Sequence, residues 1–199
     1  MCIRDSTTTA KIHCLENYSN HLHLYTDGSL LDNGECGAGF SIPQLRISKS
    51  YYLGTNLSIF TAELTAIMMA LNFFIDLVKR NKYVVIFVDS LSVLKALQNF
   101  NLKTRPDLVN EIYQLLNQLF LKGSDISFCW IPSHCNIIGN EQADKAAKQG
   151  AQKKNVSTKV QIPISIEEYN NILENSVISK FFNNPNLKKL LTQSCKMLS

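Results

Sequence analysis

The chain has 199 residues, of which 45% are hydrophobic, 18% charged and 9% aromatic, a composition typical of one globular domain with an appendage. It excludes a chain that is disordered throughout, and the first nine residues lack the apolar run of a secretion signal. The net charge of +4 is unevenly spread, since residues 1–144 carry 11 basic and 13 acidic side chains and residues 145–199 carry 9 and 3. Phosphate binding by the basic end and a merely solvated lysine-rich face are equally open interpretations.

Six scattered cysteines form no Cys-x-x-Cys pair, which favours neither a zinc ribbon nor a disulfide framework. We therefore expect reduced thiols in an intracellular protein of the nucleus or cytoplasm that is not secreted. No stretch approaches the roughly 20 uninterrupted apolar residues that span a bilayer, so no membrane partner is expected. We expect the chain to act as a monomer.

The first half of the chain is predicted to form an antiparallel meander followed by a helix. Alternating hydrophobicity, with turn residues at Asp27-Gly28 and Asp32-Asn33-Gly34, separates the strands. The predicted strands cover residues 21–27, 38–42 and 47–53. From Ser58 to about Lys79 apolar residues recur at intervals of three and four, which predicts an amphipathic helix.

The second half is predicted to alternate between strands and helices. Tyr83–Val88 is continuously apolar and rich in β-branched residues, as in a strand buried on both faces. The elements predicted after it are a helix from the N-cap residue Ser90 to Phe100, a helix from Pro106 to about Lys122, a strand over residues 126–131, and a helix from the N-cap residue Asn140 to about Gly150. This order predicts an α/β fold with a five-stranded mixed sheet, three antiparallel strands preceding parallel β-α-β units, and helices on both faces.

Three parts are predicted along the chain: an N-terminal extension (residues 1–20), a folded domain (residues 21–151), and a basic linker with an amphipathic helical appendage (residues 152–199). The first six residues are unlike their surroundings, and our hypothesis is that they are non-native. Ser165-x-x-Glu168 has the composition of a capping box at the start of the appendage helix. The apolar side of that helix is predicted to carry Ile166, Tyr169, Leu173, Val177 and Phe181.

Four carboxylates are predicted to converge at one end of the sheet. Glu63 lies on the alanine-lined face of its helix, where an unpaired buried charge costs on the order of several kcal/mol. Asp27 and Asp89 lie at or near the carboxyl ends of two strands predicted to be parallel neighbours, and Asp144 lies among small residues of the last helix. Taken singly, Asp27, Asp89 and Asp144 are explained as well by a turn aspartate, a helix-capping aspartate and an exposed helix residue. Glu63 is less well explained in this way, because a solvent-facing glutamate should not share the alanine-lined face. Their convergence favours a site for a hard divalent cation such as Mg²⁺.

Two such ions, about 3.5–4 Å apart, activate a water and stabilise the leaving oxygen at a phosphodiester, which is nuclease chemistry. His134 lies in the predicted loop ten positions before Asp144, where an imidazole could transfer a proton. A surface histidine without function is the alternative interpretation. Gly37-x-Gly39 has no Lys-Ser/Thr after it and does not fit a phosphate-binding loop.

Motifs of the chain resemble those of type 1 ribonuclease H in the same order and on matching elements. The motifs are Tyr25-Thr26-Asp27-Gly28-Ser29, Thr61-Ala62-Glu63-Leu64-Thr65-Ala66, Val88-Asp89-Ser90, and Ile131-Pro132-Ser133-His134 with Gly139-Asn140-Glu141-x-Ala143-Asp144. The resemblance covers about His21 to Gly150. It implies the ribonuclease H-like fold and endonucleolytic hydrolysis of the RNA strand of an RNA–DNA hybrid.

The resemblance also implies roles for individual residues. Two Mg²⁺ ions, for which Mn²⁺ can substitute, would be bridged by Asp27, with Glu63 and Asp89 ligating one ion and Asp144 the other. His134 would aid product release or proton transfer. The residues expected to contact the substrate are Gly28, Ser29, Ser90, Asn140 and, in place of the basic handle of many bacterial members, Lys103 and Arg105.

Departures from the family pattern indicate which kind of type 1 ribonuclease H the chain resembles. Ile59 and Phe60 stand where cellular members often carry paired asparagines, and the string from Ser58 to Glu63 resembles the ribonuclease H module at the C-terminal end of non-LTR retrotransposon polyproteins. That likeness implies a reverse transcriptase domain upstream in a parent polyprotein. Two other functions are open. One is a catalytically decayed module that binds nucleic acid or has a structural role in such a polyprotein, and the other is a DNA-cutting integrase or resolvase, which the His134 loop disfavours.

Overall fold

The structure, a computed structural model, describes residues 16–77, 82–99, 104–153 and 158–172. The predictions for residues 1–15, for Lys103 and for the appendage beyond residue 172 lie outside these ranges. The chain divides into two compact units, residues 1–162 and residues 163–199. The three-part division predicted above stays a prediction.

The first unit contains a mixed sheet that packs against α-helices. In chain order the elements are β1 (Leu22–Leu30), β2 (Glu35–Ile42), a short 3-10 helix (Pro43–Leu45), β3 (Ile47–Thr55), α1 (Ile59–Leu77), β4 (Tyr83–Val88), α2 (Leu91–Gln98), α3 (Pro106–Leu121), β5 (Asp125–Trp130), α4 (Ile138–Ala151) and β6 (Thr158–Lys159). The strand order is β5-β4-β1-β2-β3-β6. β1, β2 and β3 are antiparallel neighbours, and β1, β4 and β5 are parallel. The predicted five-stranded mixed sheet is confirmed, and the two-residue β6, too short for any sequence pattern, extends it beside β3.

Several predicted boundaries were wrong, and β2, for example, begins at Glu35 instead of residue 38. β1 continues past the expected turn at Asp27-Gly28, because β2 pairs with it as far as Leu30 opposite Cys36. α4 begins at Ile138 with Ile137 as its N-cap residue, so Asn140 lies inside the first turn and does not cap the helix. The amide of Asn140 bonds to another element of the fold instead of to the start of its own helix.

α1 is the central helix of the larger apolar core. Ser58 caps it, since its Oγ accepts a hydrogen bond from the Thr61 backbone N–H at 3.1 Å. By length and composition alone α1 could cross a membrane, but 61% of the apolar window is buried inside the fold, and the core helix of a globular protein passes the same test. Contacts with β1, β2 and α3 identify α1 as such a core helix.

α4 packs very closely against β1, β2 and β3. A Cβ on Gly37 would lie 2.2 Å from the Ala151 backbone nitrogen, and one on Gly39 would lie 2.3 Å from that of Ala147. Glycine is therefore needed at both strand positions for this approach of the helix backbone. The Gly37-x-Gly39 pair thus serves packing, and the close approach brings the helix that carries Asp144 against β1.

In the second unit, residues 166–172 are helical. The Ser165 backbone N–H donates to Glu168 Oε2 at 2.9 Å, and the Glu168 N–H donates to Ser165 Oγ at 3.1 Å. This reciprocal pair is the predicted capping box.

Candidate active site

Strand register brings Asp27 and Asp89 together. Thr26 of β1 pairs with Val88 of β4, the last pair of this parallel ladder. Asp27 and Asp89 are the next residue on each strand, so they leave the ladder side by side at its carboxyl end. Asp27 is 8% exposed and Asp89 is half-buried.

Glu63 reaches the same point because α1 lies almost in contact with the backbone of β1. A Cβ on Gly28 would lie 2.6 Å from the Glu63 backbone nitrogen, so only glycine permits this approach. Glu63 lies in the second turn of α1 and is 7% exposed. One carboxylate oxygen of each of the three acids lies within 4.8 Å of the other two.

Asp144 joins this cluster from α4. Its carboxylate lies close enough to that of Asp27 to raise the pKa of Asp27, and its Oδ2 accepts a hydrogen bond from Lys148 Nζ at 2.8 Å, one helical turn away. The open cleft around the acids has a volume of about 380 Å³. The predicted site residues that line it are Asp27, Gly28, Ser29, Glu63, Asp89, Ser90, His134, Asn140 and Asp144.

Burial and mutual repulsion dominate the electrostatics of the cleft. Burial, then the nearby charges of Asp89 and Asp144, raise the pKa of Asp27 to about 8. Burial, then the charges of Asp27 and Asp89, raise the pKa of Glu63 well above its ordinary value. A backbone hydrogen bond from Gly28 offsets part of each change. Ionisation of Asp27 and Glu63 is therefore unfavourable unless a cation compensates the negative charge.

The donor set fits a hard divalent cation. Glu63 Oε2 is buried and has no hydrogen-bond partner among the described residues, although a buried ionised oxygen needs compensation. The site offers carboxylate oxygens, the ligands that Mg²⁺, Mn²⁺ and Ca²⁺ prefer. A divalent cation would satisfy the unpaired oxygen and reverse the repulsion among the acids.

His134 lies on the rim of this cleft. It is exposed and adopts a left-handed backbone conformation with φ 53°, as does Asn136 with φ 54°. The loop between β5 and α4 thus turns sharply and presents the imidazole beside the carboxylates. This position fits the predicted reach of His134 to the site.

Arg105 is the predicted substrate contact that the structure does not bring to the cleft. It precedes α3, and its side chain is 1% exposed. Its Nε and Nη2 donate to the Asp107 carboxylate at 3.0 and 2.7 Å, and its Nη1 donates to Thr61 Oγ1 at 3.2 Å. A guanidinium enclosed in this way joins α3 to the first turn of α1 and offers no exposed surface to a phosphate.

Sequence reasoning missed two residues that contact the predicted ligands. Lys148 follows Asp144 by four residues, and this helical spacing was a signal for the ion pair. Trp130 donates its indole N–H to the backbone carbonyl of Asp89 at 3.1 Å, a contact between strands that no local pattern indicates.

The fold and the cleft together define an α/β domain whose mixed sheet brings four carboxylates into one cleft suited to a divalent cation. The chain belongs to the RNase H family, whose profile matches residues 19–152. The structure is also similar to RNase H1 from the halophilic archaeon Halobacterium salinarum NRC-1, with a TM-score of 0.52 and 22% sequence identity. That match covers 67% of this chain and 98% of the archaeal one, and at this identity it shows a shared fold.

Proposed function

We propose that the chain is an endoribonuclease that hydrolyses the RNA strand of RNA–DNA hybrids with two divalent metal ions. The preferred ion in this proposal is Mg²⁺. Membership of the RNase H family supports this reaction class. The observation that carries the proposal is the cluster of Asp27, Glu63 and Asp89, with oxygens within 4.8 Å of one another and one Glu63 oxygen that no described residue pairs.

In this proposal Asp27, Glu63, Asp89 and Asp144 would hold the metal. When bound, divalent cations lower the pKa of water and neutralise charge that develops on a phosphodiester. Exposed on the rim, His134 would donate a proton to the leaving oxygen, which departs as a hydroxyl group, or would aid product release. Gly28, Ser29 and Ser90, which line the cleft, would contact the substrate, and 2′-hydroxyl groups would distinguish RNA from DNA. Asn140 lines the same cleft, but it is 3% exposed and its amide donates to Asp89, so the substrate contact expected of it is not part of the proposal.

We also propose that the domain derives from a non-LTR retrotransposon. The support is the string from Ser58 to Glu63, in which Ile59 and Phe60 replace the paired asparagines of many cellular members. Ile59 is 46% exposed and lines the carboxylate cleft. The genomic locus tests this origin, because a retroelement would encode a reverse transcriptase upstream in the same reading frame, and a cellular gene without one would contradict it.

Cleavage of a strand-labelled RNA–DNA hybrid tests the activity. We expect Mg²⁺-dependent cutting of the RNA strand, no cutting of double-stranded DNA or double-stranded RNA, and loss of cutting in Asp27→Asn. Asp32→Asn is the matched control, since it removes the same charge from an exposed turn five residues away.

The two other functions give different results in this assay. A folded parent that binds the hybrid without cutting it would favour the decayed module, and cutting of double-stranded DNA would favour an integrase-like enzyme. A folded Asp27→Asn variant that cuts as fast as the parent would exclude catalysis by this carboxylate cluster.

A further inference from the structure

We propose that Trp130 and Asn140 are positioning residues that hold Asp89 from two sides and thereby set the affinity of the carboxylate cluster for its divalent cation. Trp130 holds the backbone of Asp89 and Asn140 holds its carboxylate. The inference rests on the proposed function, because it assigns Asp89 to the metal.

On the carboxylate side, Asn140 Nδ2 donates a hydrogen bond to Asp89 Oδ2 at 3.1 Å. The side-chain amide has only this orientation available, since the flipped amide would place two oxygens 3.1 Å apart. Its own Oδ1 is buried and has no hydrogen-bond partner among the described residues, and Asn140 is 3% exposed. Burying an amide whose acceptor oxygen makes no hydrogen bond costs free energy. This indicates that the role of the Asn140 amide is the hydrogen bond that it donates to Asp89.

The place of Asn140 in α4 links it to the rest of the cluster. It precedes Asp144 by four residues on the same helix, so both side chains lie on one face. One face of α4 thus supplies an acid and also the group that orients a second acid, Asp89, which directly follows β4. The bond to Asn140 engages Asp89 Oδ2, so the direction of Asp89 Oδ1 is fixed as well.

On the backbone side, Trp130 Nε1 donates to the Asp89 carbonyl oxygen at 3.1 Å. Trp130 is the last residue of β5 and pairs with Val88 at the end of β4. Asp89 comes directly after that pair, where the ladder no longer fixes the chain. The indole is 49% exposed, an unusual position for so large an apolar group, yet its N–H points at the backbone of the candidate ligand.

These two bonds restrain Asp89 in the metal-free protein, so binding a cation requires little further ordering of this side chain. Groups that orient metal ligands typically contribute about 10–100-fold to metal affinity or activity. We expect Asn140→Ala to weaken Mg²⁺ binding by about 10-fold or more, and Trp130→Phe, which keeps an aromatic ring and loses the donor, to weaken it by about 3–10-fold. Cleavage should then need correspondingly more Mg²⁺ and recover when Mg²⁺ is raised, because the acids themselves are intact.

The experiment titrates the full chain with Mg²⁺ by calorimetry, for the parent, both variants and Gln142→Ala. Gln142 is exposed on the same helix two residues after Asn140 and lies outside the carboxylate cleft, so its variant controls for an altered α4. Trp130 is the only tryptophan of the chain, so its indole N–H gives one side-chain NMR resonance. We expect this resonance to shift with Mg²⁺ in the parent, and at about 10-fold higher Mg²⁺ or more in Asn140→Ala.

The outcomes separate this inference from the proposed function. Mg²⁺ affinity and Mg²⁺ dependence of cleavage that stay at parental values in both folded variants would overturn the positioning role alone. A lower melting temperature with unchanged Mg²⁺ affinity would also overturn it, because that result describes a purely structural role. A parent that binds Mg²⁺ but does not cleave the hybrid would refute the proposed function. The positioning role would then be decided by the Mg²⁺ affinities of the parent and the two variants. A parent that binds no Mg²⁺ would overturn both.

Discussion

Asp27→Asn is expected to make the metal-free protein more stable at neutral pH while it abolishes cleavage. The pKa of Asp27 is raised from 3.8 to about 8 in the folded protein. Folded and unfolded chains therefore differ in protonation between these values, and the folded state binds the extra proton. The contribution of the Asp27 carboxyl group to the free energy of unfolding is largest below about pH 4. It decreases as the pH rises and is lost once the pH passes about 8. Glu63, whose pKa is raised in the same way, contributes in the same direction.

The magnitude follows from the pH interval over which the proton is retained. Each pH unit above 3.8 lowers the free energy of unfolding by about 1.4 kcal/mol through this group. The loss relative to low pH is therefore about 4 kcal/mol at pH 7 and under about 2 kcal/mol at pH 5. Asparagine resembles the protonated acid and avoids this cost. We expect Asp27→Asn to raise the free energy of unfolding by roughly 2–4 kcal/mol at pH 7, by less at pH 5, and to flatten its pH dependence.

Urea unfolding with a chelator at pH 5, 7 and 8.5 measures this difference, and Asp32→Asn controls for the loss of one negative charge. Addition of Mg²⁺ should reverse the order of stability, because the parent then gains the free energy of metal binding. The reasoning is refuted if the metal-free Asp27→Asn protein is no more stable than the parent at pH 7 and keeps the parental pH dependence.

Three further changes test the packing and charges around the cleft. Lys148→Met removes the cation that bonds to Asp144 at 2.8 Å, so calorimetry should show tighter Mg²⁺ binding by about 2–10-fold at low salt, and unchanged affinity would mean that the ion pair does not compete with metal. Gly39→Ala would place a Cβ 2.3 Å from the Ala147 backbone nitrogen, so urea unfolding should show a loss of about 3 kcal/mol or more, and a near-neutral change would contradict the close packing of α4. His134→Ala should lower kcat by roughly 100-fold without abolishing cleavage or changing Mg²⁺ affinity in calorimetry, and a fully inactive enzyme would show that the imidazole has a larger role.

The positions of the four acids could be predicted from the sequence because each depends on a short-range signal. Helical periodicity places Glu63 on the buried face of α1, and the apolar run of β4 ends at Asp89. The usual topology of β-α-β units then makes β1 and β4 parallel neighbours, so Asp27 meets Asp89. These steps use only local burial patterns and one general rule of connection.

The side-chain partners of the site could not be predicted in this way. Asn140 was assigned to a helix cap, yet it bonds to Asp89 at a separation of 51 residues. Arg105 was assigned to the substrate, yet it is buried between α1 and α3 and bonds to Thr61, 44 residues away. An exposed and a buried arginine look alike in a single sequence, because the difference depends on which elements pack around it.

The sequence by itself determined the order of the elements, the five strands of the predicted sheet and the carboxylates at its end, since hydrophobic period and turn residues act over a few neighbours. Only the tertiary structure decided that β1 runs on to Leu30, that Gly37 and Gly39 bring α4 against the sheet, and that Trp130 and Asn140 hold Asp89. Each of these depends on the distance between segments far apart in the chain. That distance is set by close packing of the whole domain, and no local pattern encodes it.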